Sequence, residues 1–154
     1  MPSPEVSQDL SIERLSADEL GACCRRGHPL AGKGELEPAQ LLDFPWILPP
    51  RNTRASQRLR ALFVAANLPP PERVLETESM AFMIQTLLNS DSLSFSVSST
   101  LDLAEAKGLI MLDVPRLSSV REAGVISRKD GWLSPAAMAL IAELRAHCAA
   151  EPKN

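Results

Sequence analysis

The sequence predicts an α/β fold built on an open sheet. Segments with the two-residue apolar repeat of a strand alternate along the chain with segments whose apolar positions recur every three to four residues, as on a helix face. Proline turns, at Gly27-His28-Pro29, Pro49-Pro50 and Pro69-Pro70-Pro71, punctuate the alternation, because proline cannot continue either element. The length, 154 residues, suits one domain or two small lobes.

Residues 1–9 read as a disordered leader, with no basic or apolar stretch of a signal peptide. Residues 10–15 suit a short strand. Residues 19–26 suit another, since Leu20, Ala22 and Cys24 alternate with Gly21, Cys23 and Arg25. A polar loop at 31–37, one helical turn at 38–42 and a buried strand at 44–48 follow. In the helix expected over 54–67, Leu59, Leu62, Phe63 and Ala66 share a face, and the triple proline ends it. Residues 73–77 form a strand. Ser79 can cap a helix to residue 88 whose apolar face is Met80, Met83, Ile84, Leu87 and Leu88. Leu93, Phe95 and Val97 alternate with Ser94, Ser96 and Ser98, the pattern of a half-buried strand. A short helix over 100–107, ended by Gly108, precedes strands at 109–112 and 121–128. The last helix carries the clearest signals. Ser134 is an N-cap, Pro135 takes the first helical position, and Ala137, Leu140, Ile141, Leu144 and Cys148 line one face before a polar tail from residue 151.

Charge and motif content narrow the function. The net charge is −3, with 9 basic and 10 acidic groups in residues 1–77 and 7 and 9 in residues 78–154. A chain that grips a polyanion unaided needs a basic excess, which is lacking here. Three cysteines, two of them adjacent, suit a reducing cytoplasm rather than a disulfide framework; strand alternation would bury one of Cys23 and Cys24 and leave inert thiols. No zinc-ligand spacing, nucleotide-binding glycine fingerprint or nucleophile elbow occurs, so no metal, cofactor or catalytic residue is expected. His28 and His147 have no evident partner, and Asp91 most simply caps a turn. No apolar run reaches the ~18 residues of a membrane span.

One local anomaly remains. Residues 44–71 contain no Asp or Glu but hold Arg51, Arg54, Arg58 and Arg60. Arg51-Asn52-Thr53-Arg54 falls where a strand meets a helix N-terminus, whose free N–H groups and dipole favour an anion. Glu76-Thr77-Glu78-Ser79-Met80 repeats that geometry. The competing readings are a solvated basic helix face and a serine that only caps.

Taken in order, several segments resemble LysR-type transcriptional regulators. They are Arg26-Gly27-His28-Pro29-Leu30-Ala31, Phe44-Pro45-Trp46-Ile47-Leu48-Pro49, Leu68-Pro69-Pro70-Pro71, Glu76-Thr77-Glu78-Ser79, Asp91-Ser92-Leu93-Ser94-Phe95, Gly124-Val125-Ile126-Ser127-Arg128 and the Ser134-Pro135 helix. Ser90-Asp91-Ser92-Leu93 and residues 128–135 are most similar to the branch of the galactose-binding-protein and protocatechuate-pathway regulators. The resemblance, over about residues 10–148, implies an effector-binding domain with a type 2 periplasmic-binding-protein-like lobe, an open mixed sheet and an incomplete first lobe. Residues 10–26 would be a first-lobe remnant and crossing strand, 27–118 the second lobe, and 119–150 a returning strand and helix of the first. A small organic acid or sugar-derived effector would lie in an interlobe cleft against Leu48, Pro49, Arg51, Thr53, Arg54, Ser79, Met80 and Phe95. Self-association is implied, a dimer or, in the full-length protein, a tetramer. DNA would be reached only through a winged helix-turn-helix absent from this sequence. The alternatives are a non-regulatory binding protein or an enzyme on the same fold. Prephenate dehydratases carry a Thr-Arg-Phe motif, where this chain has Thr53-Arg54-Ala55.

Overall fold

In the computed structural model, which describes residues 9–150, one 16-residue strand, β1 (Leu10–Arg25), runs through both N-terminal segments that the sequence separates. The strand runs through Ser16-Ala17-Asp18 despite its poor strand propensity, and β1 also pairs with β6 (Ser119–Arg128). The leader lies outside the described residues apart from Asp9, whose carbonyl accepts the Lys129 N–H at 2.8 Å; the polar tail lies outside them too. The chain divides into two compact units, residues 19–120 and the segments up to 18 and from 121.

Within residues 19–120, β1 pairs antiparallel with β4 (Ser94–Val97) and β5 (Leu109–Met111), in a register that sets Ala22 opposite Phe95 and Cys24 opposite Ile110. β2 (Trp46–Leu48) and β3 (Arg73–Glu76) pair in parallel, Leu48 opposite Glu76. The Ile47 N–H donates to the Leu93 carbonyl, and the Leu93 N–H to that of Pro45, both at 2.8 Å, which ties β2 to the residue before β4. The sheet is therefore open and mixed.

Strand alternation sorts side chains to two faces. Ala22, Cys24, Trp46 and Leu48 join Leu59 and Phe63 of α1 (Arg54–Ala65) in one buried cluster. Cys23 and Ile47 join Ile84 and Leu87 of α2 (Met80–Leu88) in another. Helices on both faces bury both sides of the strands, which corrects two sequence expectations. Both adjacent cysteines are buried, and β4 is buried at Ser94 as well as Phe95. Ser94 adapts by donating its hydroxyl to the Met83 sulfur at 3.2 Å. Trp46 meets Phe63 edge-on at 6.1 Å and donates its indole N–H to the Leu41 carbonyl. The single helix expected over 100–107 is instead two 3-10 turns, Ser98–Asp102 and Ala104–Ala106, because extended Leu103 breaks it.

In the other unit, β6 approaches β1 so closely that a Cβ on Gly124 would clash with the Glu13 carbonyl oxygen. α3 (Pro135–Ala150) starts as the sequence indicates, with Ser134 Oγ accepting the Ala137 N–H at 3.1 Å. Arg145 forks onto Glu13 and lowers its pKa. Of its expected apolar face, Leu140 and Leu144 remain exposed.

Candidate functional site

Parallel pairing puts the carboxyl ends of β2 and β3 at the same edge, each leading into a helix N-terminus. Such strand ends are where open α/β sheets receive ligands. After β2, the turn Pro49-Pro50-Arg51-Asn52 delivers Thr53, which caps α1. Its hydroxyl accepts the Ser56 N–H at 3.3 Å and donates to the Pro50 carbonyl at 2.8 Å. After β3, Ser79 caps α2 by accepting the Phe82 N–H at 3.3 Å. The Thr77 N–H donates to the Leu48 carbonyl at 3.1 Å and stitches the junctions together.

A partly buried network fixes the first junction from behind. Arg73 donates Nη1 to the Pro49 carbonyl at 2.6 Å and to Glu76 at 2.7 Å, and Nη2 to Ser56 Oγ at 3.2 Å. Ser56 Oγ donates to the same Pro49 carbonyl at 2.8 Å. This clamp joins residues far apart in the chain, so no local pattern in the sequence shows it.

The structure brings most of the expected residues to the two junctions. Arg51 and Arg54 are exposed, and their guanidinium groups make no polar contact to another described residue. Thr53 is half-buried with its hydroxyl committed, whereas exposed Ser79 keeps its O–H free to donate. Met80, in the first turn of α2, is 49% exposed. Pro49 presents a carbonyl that already accepts two bonds. Leu48 and Phe95 are buried in the α1-side core. Arg58, from the same basic run, donates to Ser119 Oγ at 2.8 Å.

The Arg-Gly-His-Pro segment has a structural task. Burial lowers the pKa of His28, its Nδ1 accepts the Leu30 N–H at 3.0 Å, and the Nε2–H reaches the Asp91 carbonyl at 3.2 Å. Asp91 does more than cap a turn, for its Oδ1 receives Nε and Nη2 of Arg25 at 3.1 and 2.5 Å. Burial pushes the Cys23 and Cys24 thiols up to about 12 and about 11, leaving little thiolate at neutral pH. Among the described residues no cluster of metal-ligating side chains occurs, and no helix is long and apolar enough to cross a membrane.

The LysR substrate binding domain family model matches residues 1–149. The HTH-type transcriptional regulator GbpR of Azospirillum brasilense is 34% identical over 149 residues, which are 95% of this chain but 43% of that regulator. The chain thus spans less than half of that relative. The regulatory domain of CcmR from Synechocystis PCC6803, solved in complex with 2-PG, superposes with a TM-score of 0.81 at 23% identity, over 99% of this chain and 74% of that one. The effector binding domain of QuiR, in complex with shikimate, gives 0.69 at 19% identity, over 96% and 69%.

Proposed function

Because the chain belongs to the LysR substrate-binding domain family, we propose that it senses a small organic acid or sugar-derived effector for a transcriptional regulator. The observation that carries this reading is the pair of capped helix N-termini set side by side at the ends of parallel β2 and β3. Main-chain N–H groups and helix dipoles there attract a carboxylate. Arg51, Arg54, Ser79 and Met80 would touch the effector. Thr53 and the Pro49 turn would hold the junction in shape, with Leu48 and Phe95 as its packed backing. The 2-PG and shikimate bound by the two structural relatives are acids of this kind.

The role is binding without bond cleavage. The adjacent Cys23 and Cys24 are buried and held as thiols, which keeps them out of nucleophilic chemistry. Residues 27–118 would carry the effector lobe, and 119–150 would return to the first. In the whole regulator, effector binding would shift the packing of a dimer or tetramer and so the hold on DNA. DNA contact would come through a helix-turn-helix outside this chain, in the cytoplasm. A thermal-shift screen with sugar acids and aromatic acids tests the reading. A true effector at ~100 times its Kd stabilises by about 2.7 kcal/mol, several degrees in Tm, and Ser79→Ala reduces that shift. Turnover of a bound compound, or a shift indifferent to Ser79→Ala, would overturn it.

A further inference from the structure

Beside the α1 junction lies a cavity of about 220 Å³, bounded by α1, the Arg51 turn and β3. Arg51, Arg60 and Arg73 line it, together with Ser56 and Gln57, and no carboxylate does. We propose that this cavity is a second binding site, for a small anion bearing phosphate or carboxylate oxygens, adjoining the effector surface around Ser79 and sharing Arg51 with it.

Four observations converge on it. First, three arginines and no carboxylate line one concavity, which gives it a positive field that favours an anion. Second, neither the Arg51 nor the Arg60 guanidinium has an ion-pair or hydrogen-bond partner among the described residues; the five ion pairs found there use Arg14, Arg25, Arg73, Arg116 and Arg145. Their donors are therefore available. Third, Arg73 is rigidly held through Nη1, yet its Nε is the one buried side-chain nitrogen or oxygen without a partner among the described residues. Its Nη2 makes only the 3.2 Å bond to Ser56. Nε is enclosed, so Arg73 serves the site as a fixed positive charge. Fourth, the volume is below the several hundred Å³ of a drug-sized pocket, which suits a small anion. Glu76, paired to Arg73, is the one opposing charge at this arginine, and it leaves the three-arginine set net positive.

Inorganic phosphate and malonate, each titrated into the full chain at constant ionic strength against chloride, test the proposal by thermal shift and calorimetry. A saturable effect of either ion is expected, and the stronger of the two identifies the oxygen chemistry the site prefers. Arg51→Gln and Arg60→Gln, both at exposed positions that leave the fold intact, should each weaken that affinity about tenfold. Arg58→Gln, on the same helix but off the cavity, should leave it within about twofold. Equal losses in all three variants would mean an adventitious ion only, and would overturn the site. So would phosphate and malonate behaving as chloride does. Loss of anion binding in Ser79→Ala would place the ion on the effector surface instead and also refute a second site. Retention there, with no organic effector found, would leave this site standing while the effector reading failed.

Discussion

The two compact units differ in how they hold themselves together. Every buried residue among those described lies between Leu20 and Leu117, inside the unit of residues 19–120. That unit has two apolar clusters, one on each face of its sheet, and its polar groups are tied across long sequence separations by Arg25–Asp91, His28–Asp91 and Arg73–Pro49. The other unit has a strand pair and a well-capped helix but no buried side chain among its described residues. Trp132 is 83% exposed, and Leu140, Met138 and Ile126 are exposed with it. Local signals suffice to start a helix, while its persistence depends on covering an apolar face. The candidate site belongs to the unit that holds every described buried side chain, and a packed frame keeps main-chain donors aligned.

The sharpest way to break the contrast is truncation in each unit. Phe63→Ala should cost about 3–5 kcal/mol in chemical denaturation, because Phe63 is fully buried against Trp46. Leu140→Ala, at a position 61% exposed, should stay within about 0.5 kcal/mol. Comparable losses would mean that α3 packs as tightly as α1. Next in size is self-association. Exposed apolar residues on α3 should drive dimers or larger species, and Leu140→Glu with Leu144→Glu should shift light scattering toward monomer. A clean wild-type monomer at high concentration would show that this face needs no cover.

A smaller effect sharpens the account of the larger unit. Burial depresses the pKa of His28, so the unfolded chain takes up the proton first as pH falls. The stability contributed by neutral His28 is fully present above its ordinary value of 6.5 and declines as pH drops through the window below it. Denaturation between pH 7 and 5 should show that decline, and His28→Asn should flatten it. An unchanged slope in the variant would remove His28 from the packing argument.

The elements with local signatures were legible in the sequence. The 3.6-residue stripe of α1, the serine caps of α2 and α3, and the alternation around Leu20 all mark real structure. The two strand-to-helix turns were legible as well, since a cap after a strand is a short-range pattern. Long-range partners were not. Asp91 reads as a turn cap because nothing near it announces Arg25, 66 residues away. Arg73 reads as the start of a strand, although its guanidinium fixes the turn after β2. Burial on both faces of β1 and β4 is equally invisible to a period-two pattern, because small residues such as Gly21, Cys23 and Ser94 pass for a polar face.

Native-state amide hydrogen exchange, at a concentration where the chain is monomeric, tests most directly whether the receptor surface rests on a self-sufficient unit. Amides of Trp46, Ile47 and the second half of β1 should exchange only through global unfolding, while those of α3 exchange through local opening. Protection in α3 equal to that of β2 would contradict the account.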